Sequence, residues 1–330
     1  MNLKIGVYNV KWMRDLFDTT GQPKTSAEEH LRSQQLAEVI HAMNPDFLGI
    51  VEGPNTLVDG SKTASLQMEL WCRTYLPDLN YLGVHGFPSP GQQELCAIYN
   101  PEKIKVLFTP EIKAGHRFDE PFLQDTTNRL IKEQYRHYRA PLELSLLALD
   151  DTFLTRIIIA HTKSKGIFDM VDYARFEQIS ARDRLKLFAE CMSIRERCDE
   201  YLEKGQQVMV MGDINDGFEL DFYENKFSKS AVEILLGDVW RPELVLKPII
   251  VKPKLNSYGY SPYSSRYKDR ITGDQINVLI DHILASQGLK IIDGTVWNPY
   301  LERGNEDIQK VSHSLKNASD HFPVLANIEF

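Results

Sequence analysis

Apolar and polar positions come in blocks along the whole chain, and the blocks read in turn as strands and helices. Asn2 to Val10 opens as a strand. Ser26-x-x-Glu29 has the form of a capping box at a helix start. Leu36, Val39, Ile40 and Met43 then recur at helical spacing, and Asn44-Pro45 ends the helix. Asp46 to Val51 is short and nearly all apolar, the pattern of a strand buried on both faces. The pattern predicts a helix over Lys62 to Tyr75 and strands near 81–85, 94–99 and 104–108, while residues 114–134 are polar and irregular, as in a surface excursion. Leu142 to Leu149 and Phe153 to Ala160 flank Asp150-Asp151, a hairpin turn. A long helical pattern covers about Asp172 to Glu203, followed by buried strands at Gln207 to Met211, Leu279 to Ala285 and Phe322 to Ile328. Many strands with few long helices predict two stacked sheets with helices outside, in one domain of two similar halves over residues 1–330.

Composition narrows the partners. With 38 basic and 46 acidic side chains the net charge is −8, which weighs against indiscriminate duplex binding and leaves room only for a local basic groove. The four cysteines, Cys72, Cys96, Cys191 and Cys198, form neither a CxxC pair nor a zinc spacing. No apolar run approaches the ~20 residues that span a bilayer. The first strand starts at once, with no charged segment followed by an apolar one, so a cytoplasmic protein is expected; a chain trimmed of a signal peptide would read the same.

Candidate chemistry gathers at strand ends. Apolar strands run into Asn9, Glu52, His161, Asp213 with Asn215, and Asp320-His321, while Asp281 lies inside a sixth strand between Ile280 and His282. Each has a plainer reading alone. Asn9 reads as a turn or cap residue, Glu52 as a solvated strand end before Gly53-Pro54, and His161 as a core histidine. Asp213 to Gly217 reads as a turn, Asp320 as a cap, and Lys163 and Lys165 as solvated charges. Ionised groups at the ends of buried strands are costly unless paired or metal-bound, so six together point to one convergent site. Gly212-Asp-Ile-Asn215 is the sharpest local signal: on an extended strand, residues two apart face the same side, which aims Asp213 and Asn215 into one pocket. Two-metal phosphatases share the Gly-Asp start, but their Gly-Asn-His-Glu/Asp element is missing from this sequence.

Asn9, Glu52, Gly212-Asp-Ile-Asn215, Ile280-Asp-His-Ile283 and Ser319-Asp-His321 resemble, in order, the motifs of the endonuclease/exonuclease/phosphatase superfamily, which includes DNase I. The resemblance spans the first strand to the last and implies a four-layer α/β/β/α sandwich of two mixed sheets, together with divalent-metal-dependent cleavage of phosphoesters by Mg2+ or Mn2+. It implies Glu52 as the principal metal ligand, with Asp320 as an acid that often joins it. Asp213 would position or deprotonate the attacking water, Asn215 and Asn9 would hold the phosphate, and His321 would face the phosphate, oriented by Asp281. Similarity to the DNase I-like members adds His161 as an aid to the leaving group, paired with Glu94. It also adds Arg139 in Tyr138-Arg-Ala-Pro-Leu142 as a phosphate contact and Lys163 in His161-Thr-Lys-Ser-Lys-Gly166 as a phosphate-neutralising residue.

The sequence departs from DNase I where that enzyme reads the minor groove: Pro54 follows Gly53, and Gln92-Gln93 precedes Glu94. Tyr8 stands where a tryptophan often precedes the asparagine. The leading expectation is therefore a phosphodiesterase, with nucleic acid the familiar substrate class but duplex DNA disfavoured. A small-molecule or lipid-headgroup phosphatase or phosphodiesterase is the second reading. A non-catalytic binding protein would normally have lost ligands, whereas Glu52, Asp213, Asn215, Asp320 and His321 are all present.

Overall fold

The computed structural model describes residues 1–89, 93–111, 116–127, 130–166, 173–218, 227, 229–250, 262–268 and 273–330; Gln92, Arg129 and Asp172 lie outside them. In chain order the first strands are β1 (Asn2–Asn9), β2 (Phe47–Gly53), β3 (Leu82–His85), β4 (Glu94–Tyr99), β5 (Ile104–Phe108), β6 (Phe122–Gln124), β7 (Glu133–Tyr135) and β8 (Leu142–Ala148). Then come β9 (Phe153–His161), β10 (Val208–Asp213), β11 (Leu246–Pro248), β12 (Ser265–Lys268), β13 (Gln275–Val278), β14 (Asp281–Ser286), β15 (Lys290–Val296) and β16 (Val324–Glu329). The α-helices are α1 (Ala27–Met43), α2 (Ala64–Tyr75), α3 (Tyr173–Glu203), α4 (Ala231–Leu236), α5 (Glu306–Lys310) and α6 (Ser312–Asn317).

One six-stranded sheet has the order β15-β16-β1-β2-β4-β3 and the other β11-β14-β10-β9-β8-β5. In each, one central pair is parallel, β1 with β2 and β10 with β9, and the remaining neighbours are antiparallel. Strand alternation separates two cores. Ile157, Ile159, Met209, Met211, Ile283 and Ala285 belong to the large core shared with the first sheet. Their neighbours Ile158, Ala160, Val208, Val210 and Leu284 face the other way and pack with Leu187, Phe188, Cys191 and Ile194 of α3. The two inner faces meet closely at Gly49, where a Cβ would come within 3.0 Å of Ile159 Cδ1. The arrangement is the expected sandwich of two mixed sheets with helices outside.

Local details differ from the sequence pattern. Ser26 sits at the N-cap of α1, but its hydroxyl donates to Glu29 Oε2 at 2.5 Å instead of accepting from the helix backbone, so no capping box forms. A true box opens α4, where Ser230 and Glu233 bond reciprocally. The polar excursion near 114–134 carries β6, which pairs with β7, and a second ribbon pairs β12 with β13. Both short ribbons lack the apolar alternation by which longer strands announce themselves.

Candidate active site

In the second sheet, two adjacent strands end and a third begins at one level. Asp213, the last residue of β10, is in register with His161 of parallel β9 on one side and with Asp281 of antiparallel β14 on the other. The first sheet contributes Asn9 at the end of β1, Glu52 near the end of β2, and Asp320-His321 ahead of β16. A bridge between Ser265 and His321 joins the β12 ribbon to this segment.

The side chains form one network. Asn9 Nδ2 donates to Asp213 Oδ2 at 3.0 Å and lies 3.4 Å from Glu52 Oε1. Glu52 Oε2 accepts from the Trp12 backbone N–H at 2.8 Å. His321 Nδ1 is 2.7 Å from Asp281 Oδ2, while its Nε2 lies 3.9 Å and His161 Nε2 3.6 Å from Asp213 Oδ2. His161 Nδ1, Asp281 Oδ1 and Arg139 Nε are buried without a protein partner. A buried polar group left unpaired costs about 1–3 kcal/mol, so these atoms mark positions suited to a substrate, water or ion.

Burial sets the charge states, and neighbours modify them. Burial, reinforced by Asp281 across the ladder, raises the Asp213 carboxyl to about 7. Burial opposes charge on His321, but Asp281 and then Asp213 outweigh it and raise the imidazole to about 10. His161 is driven well below the usual 6.5 by burial and then by Arg139 and His321, and it is therefore neutral. Asp213, Asp281 and His321 also bring ligand atoms within 4.8 Å of one another, but His321 could ligate a cation there only after losing its proton.

Backbone strain concentrates here. Lys11, Trp12, Glu52, Gln93 and Asn215 all have left-handed φ values, from 48° to 64°. Each such non-glycine residue costs about 1–2 kcal/mol, which the surroundings must offset. Gly212 has φ 141°, and a Cβ there would sit 1.9 Å from the Ala160 carbonyl oxygen. The offsetting bonds come from Arg32 and Ser264, which the sequence motifs do not include, and from Ser319, which opens one of them. Arg32 of α1 donates to the carbonyls of Val10 (2.5 Å), Lys11 and Ala318 (3.0 Å). Ser319 Oγ donates to the Asn9 carbonyl at 2.7 Å, and Ser264 Oγ accepts from the Ile280 and Asp281 amides. Arg32 sits in an ordinary helical pattern, so nothing in its sequence neighbourhood marks it.

Several expectations are corrected. The extended-strand argument fails at Asn215: β10 ends at Asp213, and the left-handed turn beyond it sends Asn215 Nδ2 to the Thr162 carbonyl at 3.0 Å. Its backbone N–H closes the turn on Asp213 Oδ1 at 2.9 Å. Glu94 does not pair with His161. It begins β4 opposite Gly53 and accepts from Thr56 Oγ1 at 2.9 Å. Lys163 turns toward α3, where Asp183 holds its ammonium at 3.0 Å. Asp320 is exposed and carries Lys11 Nζ on Oδ2 at 3.0 Å. Arg139 does lie at the site: it donates to Gln93 Oε1, stacks on Tyr138 at 5.1 Å and feels the charges of Glu52 and Asp213.

No protein-family model and no curated protein matches the sequence. Solved structures do match, over nearly the whole chain. An endonuclease/exonuclease/phosphatase family protein from Bacteroides thetaiotaomicron aligns with a TM-score of 0.51 and 13% identity, covering 99% of this chain and 97% of its own. The fold is that of the endonuclease/exonuclease/phosphatase proteins. A mannosyl-6-phosphatase of the same organism aligns at TM-score 0.52 and 14% identity, covering 99% of this chain and 100% of its own. TDP2 from C. elegans aligns at 0.53 and 12%, covering 100% of this chain and 76% of its own. This DNase I-like fold agrees with the resemblance drawn from the motifs, and no described helix is long and apolar enough to cross a membrane.

Proposed function

We propose that residues 1–330 act as one catalytic domain that hydrolyses phosphoesters, phosphodiesters foremost, with Mg2+ or Mn2+ as cofactor. The observation that carries this reading is the shared level at which β9 and β10 end and β14 begins, which sets His161, Asp213 and Asp281 side by side opposite Asn9, Glu52 and His321. The solved neighbours support a phosphoester substrate, since one is named as a phosphatase.

A hard divalent cation takes carboxylate oxygens and waters, and the donors here suit it. Glu52 is half-buried, has no ion-pair partner among the described residues, and has its carboxylate oriented at Oε2 by the Trp12 backbone N–H, so it is the first candidate ligand. When bound, such an ion offsets negative charge on the phosphate. The protein groups divide the remaining work. Asp213, raised to about 7, is poised to orient the attacking water and accept its proton near neutral pH. Asn9 fixes the Asp213 carboxylate through its amide. His321, kept protonated by Asp281, offers Nε2–H to an oxygen that gains charge in the transition state. Neutral His161 serves the leaving oxygen as a hydrogen-bond partner, and Arg139 supplies a fixed positive charge. Asn215 acts mainly by shaping the turn after Asp213.

Hydrolysis of a small-molecule or headgroup phosphoester is the second reading, favoured by the net charge of −8. Both readings are tested on purified protein with bis-(p-nitrophenyl) phosphate, the corresponding monoester, single- and double-stranded DNA, and RNA. Diester hydrolysis that disappears with chelator and returns with Mg2+ or Mn2+ is expected, and Glu52→Gln should weaken ion binding without unfolding the chain. Full turnover in excess chelator would sink the metal-dependent reading, and preference for the monoester would favour the second.

A further inference from the structure

Asp320 resembles a metal ligand in sequence, yet a side chain of the protein already sits on it: Lys11 Nζ lies 3.0 Å from Asp320 Oδ2. The two side chains are 49% and 44% exposed, and an isolated pair at that exposure would contribute little. This pair is not isolated, because both backbones are fixed before the side chains meet. Lys11 is held left-handed at φ 49°, with its N–H on Asn9 Oδ1 at 3.0 Å. The Asp320 carbonyl accepts from Ser265 Oγ at 3.1 Å. Arg32 then ties the two loops together, donating to the carbonyls of Val10 and Lys11 on one side and Ala318 on the other. A lysine in a strained conformation, clamped so that its ammonium falls on a site carboxylate, is the kind of outlier from which function is inferred.

The charges around the site point the same way. Lys11 sits on Asp320 and His321 on Asp281, while Arg139 and Arg32 are near the site without an ion pair to its carboxylates among the described residues, and burial lowers the pKa of both. Two of the site carboxylates, Asp320 and Asp281, thus already carry a cationic side chain, while Glu52 carries none among the described residues. A divalent ion at Glu52 meets no paired cation, whereas one at Asp320 would have to expel or abut the ammonium.

We propose that Lys11 is a resident cation that occupies Asp320, supplies there the positive charge a second metal ion would bring, and limits the site to one divalent ion held through Glu52. The inference rests on the metal-dependent reading above. An ammonium has three donors, so Nζ keeps hydrogen-bonding capacity for a phosphate oxygen while bound to Asp320.

The test is Mn2+ titration of the full chain, followed by calorimetry and by electron paramagnetic resonance of the free ion. The wild-type chain should bind one Mn2+, and Glu52→Gln should lose ~10-fold or more in affinity, the equivalent of about one charge-assisted contact. Asp320→Asn should still bind one ion at an affinity near that of the wild type. Lys11→Met should open a second, weaker Mn2+ site that the double variant Lys11→Met/Asp320→Asn loses again, while Lys11→Arg keeps the single site. Two ions on the wild-type chain, one ion on Lys11→Met, or an Asp320→Asn defect as large as that of Glu52→Gln overturns the proposal and leaves metal dependence standing. No Mn2+ binding by the wild-type chain overturns both.

Discussion

Two histidines reach Asp213 from different sheets, and their surroundings drive them to opposite charge states. His321 has a carboxylate on Nδ1 at 2.7 Å and stays protonated; His161 has no partner on Nδ1 and is neutral. Replacing either by alanine should lower turnover by ~10²-fold or more, the usual weight of acid–base and hydrogen-bonding groups. Glu94→Gln should cost less than ~10-fold on the same scale, because Glu94 bonds Thr56 and not His161. Steady-state kinetics on bis-(p-nitrophenyl) phosphate decides this, and a Glu94→Gln loss matching that of His161→Ala would show that the two act together in solution. The apolar runs place Asp281 and His321 at strand ends, and the resemblance to the superfamily motifs implies that they pair. The expected pairing of His161 with Glu94 does not form, since Glu94 accepts from Thr56, an unremarkable loop residue.

At the level of elements the two sheets share one strand pattern, and the site is built from corresponding places in it. Asn9 ends β1 as Asp213 ends β10, and Glu52 lies on β2 as His161 lies on β9. His321 precedes β16 where Asp281 begins β14. This is why polar residues at the ends of apolar strands could be read as one constellation from sequence. The left-handed turns at Lys11, Trp12, Glu52 and Asn215 could not be, because no glycine marks them and their cost is offset by distant partners such as Arg32 and Ser319. The same holds for the excursion between β5 and β8. There His137, just beyond β7, is buried against α3, with Nε2 at 3.1 Å from Ser193 Oγ, which also meets His116 Nε2 at 2.9 Å. Burial lowers the His137 imidazole to about 3, so the unfolded chain takes up a proton near pH 6.5 that the folded chain refuses. Stability from this residue is full above that pH and falls progressively as the pH drops from 6.5 toward 3, by about 1.4 kcal/mol per pH unit at most. Urea midpoints at pH 7 and pH 5 should therefore differ clearly in the wild-type chain and less in His137→Gln, which keeps a group able to bond Ser193. Equal midpoint shifts in the two would show that His137 carries no such penalty.

For the molecule as a whole, the question is which phosphoester can reach the site. A duplex binder gains most of its affinity from unpaired lysine and arginine that release counterions, with log K falling by about 0.9 per phosphate contact as log salt rises. This chain has a net charge of −8, and among the described residues several cations are held by carboxylates. Lys11 is on Asp320, Lys163 on Asp183, Lys165 on Asp216 and Arg117 on Asp119. Pro54 beyond Glu52 cannot donate a hydrogen bond from its backbone or its ring. Among the described residues, Arg139 is a phosphate-directed charge half-buried between Gln93 and Tyr138 and so placed for a scissile group more than for a long backbone. Weak or absent cleavage of intact duplex DNA is expected at physiological salt, beside measurable hydrolysis of bis-(p-nitrophenyl) phosphate or single strands. The rate on small diesters should change little between low and moderate salt, because few released counterions are at stake. Plasmid nicking that outpaces hydrolysis of the small diester at physiological salt, with a steep salt dependence, would mean that the paired lysines exchange their carboxylates for phosphates, and would restore duplex DNA as the substrate.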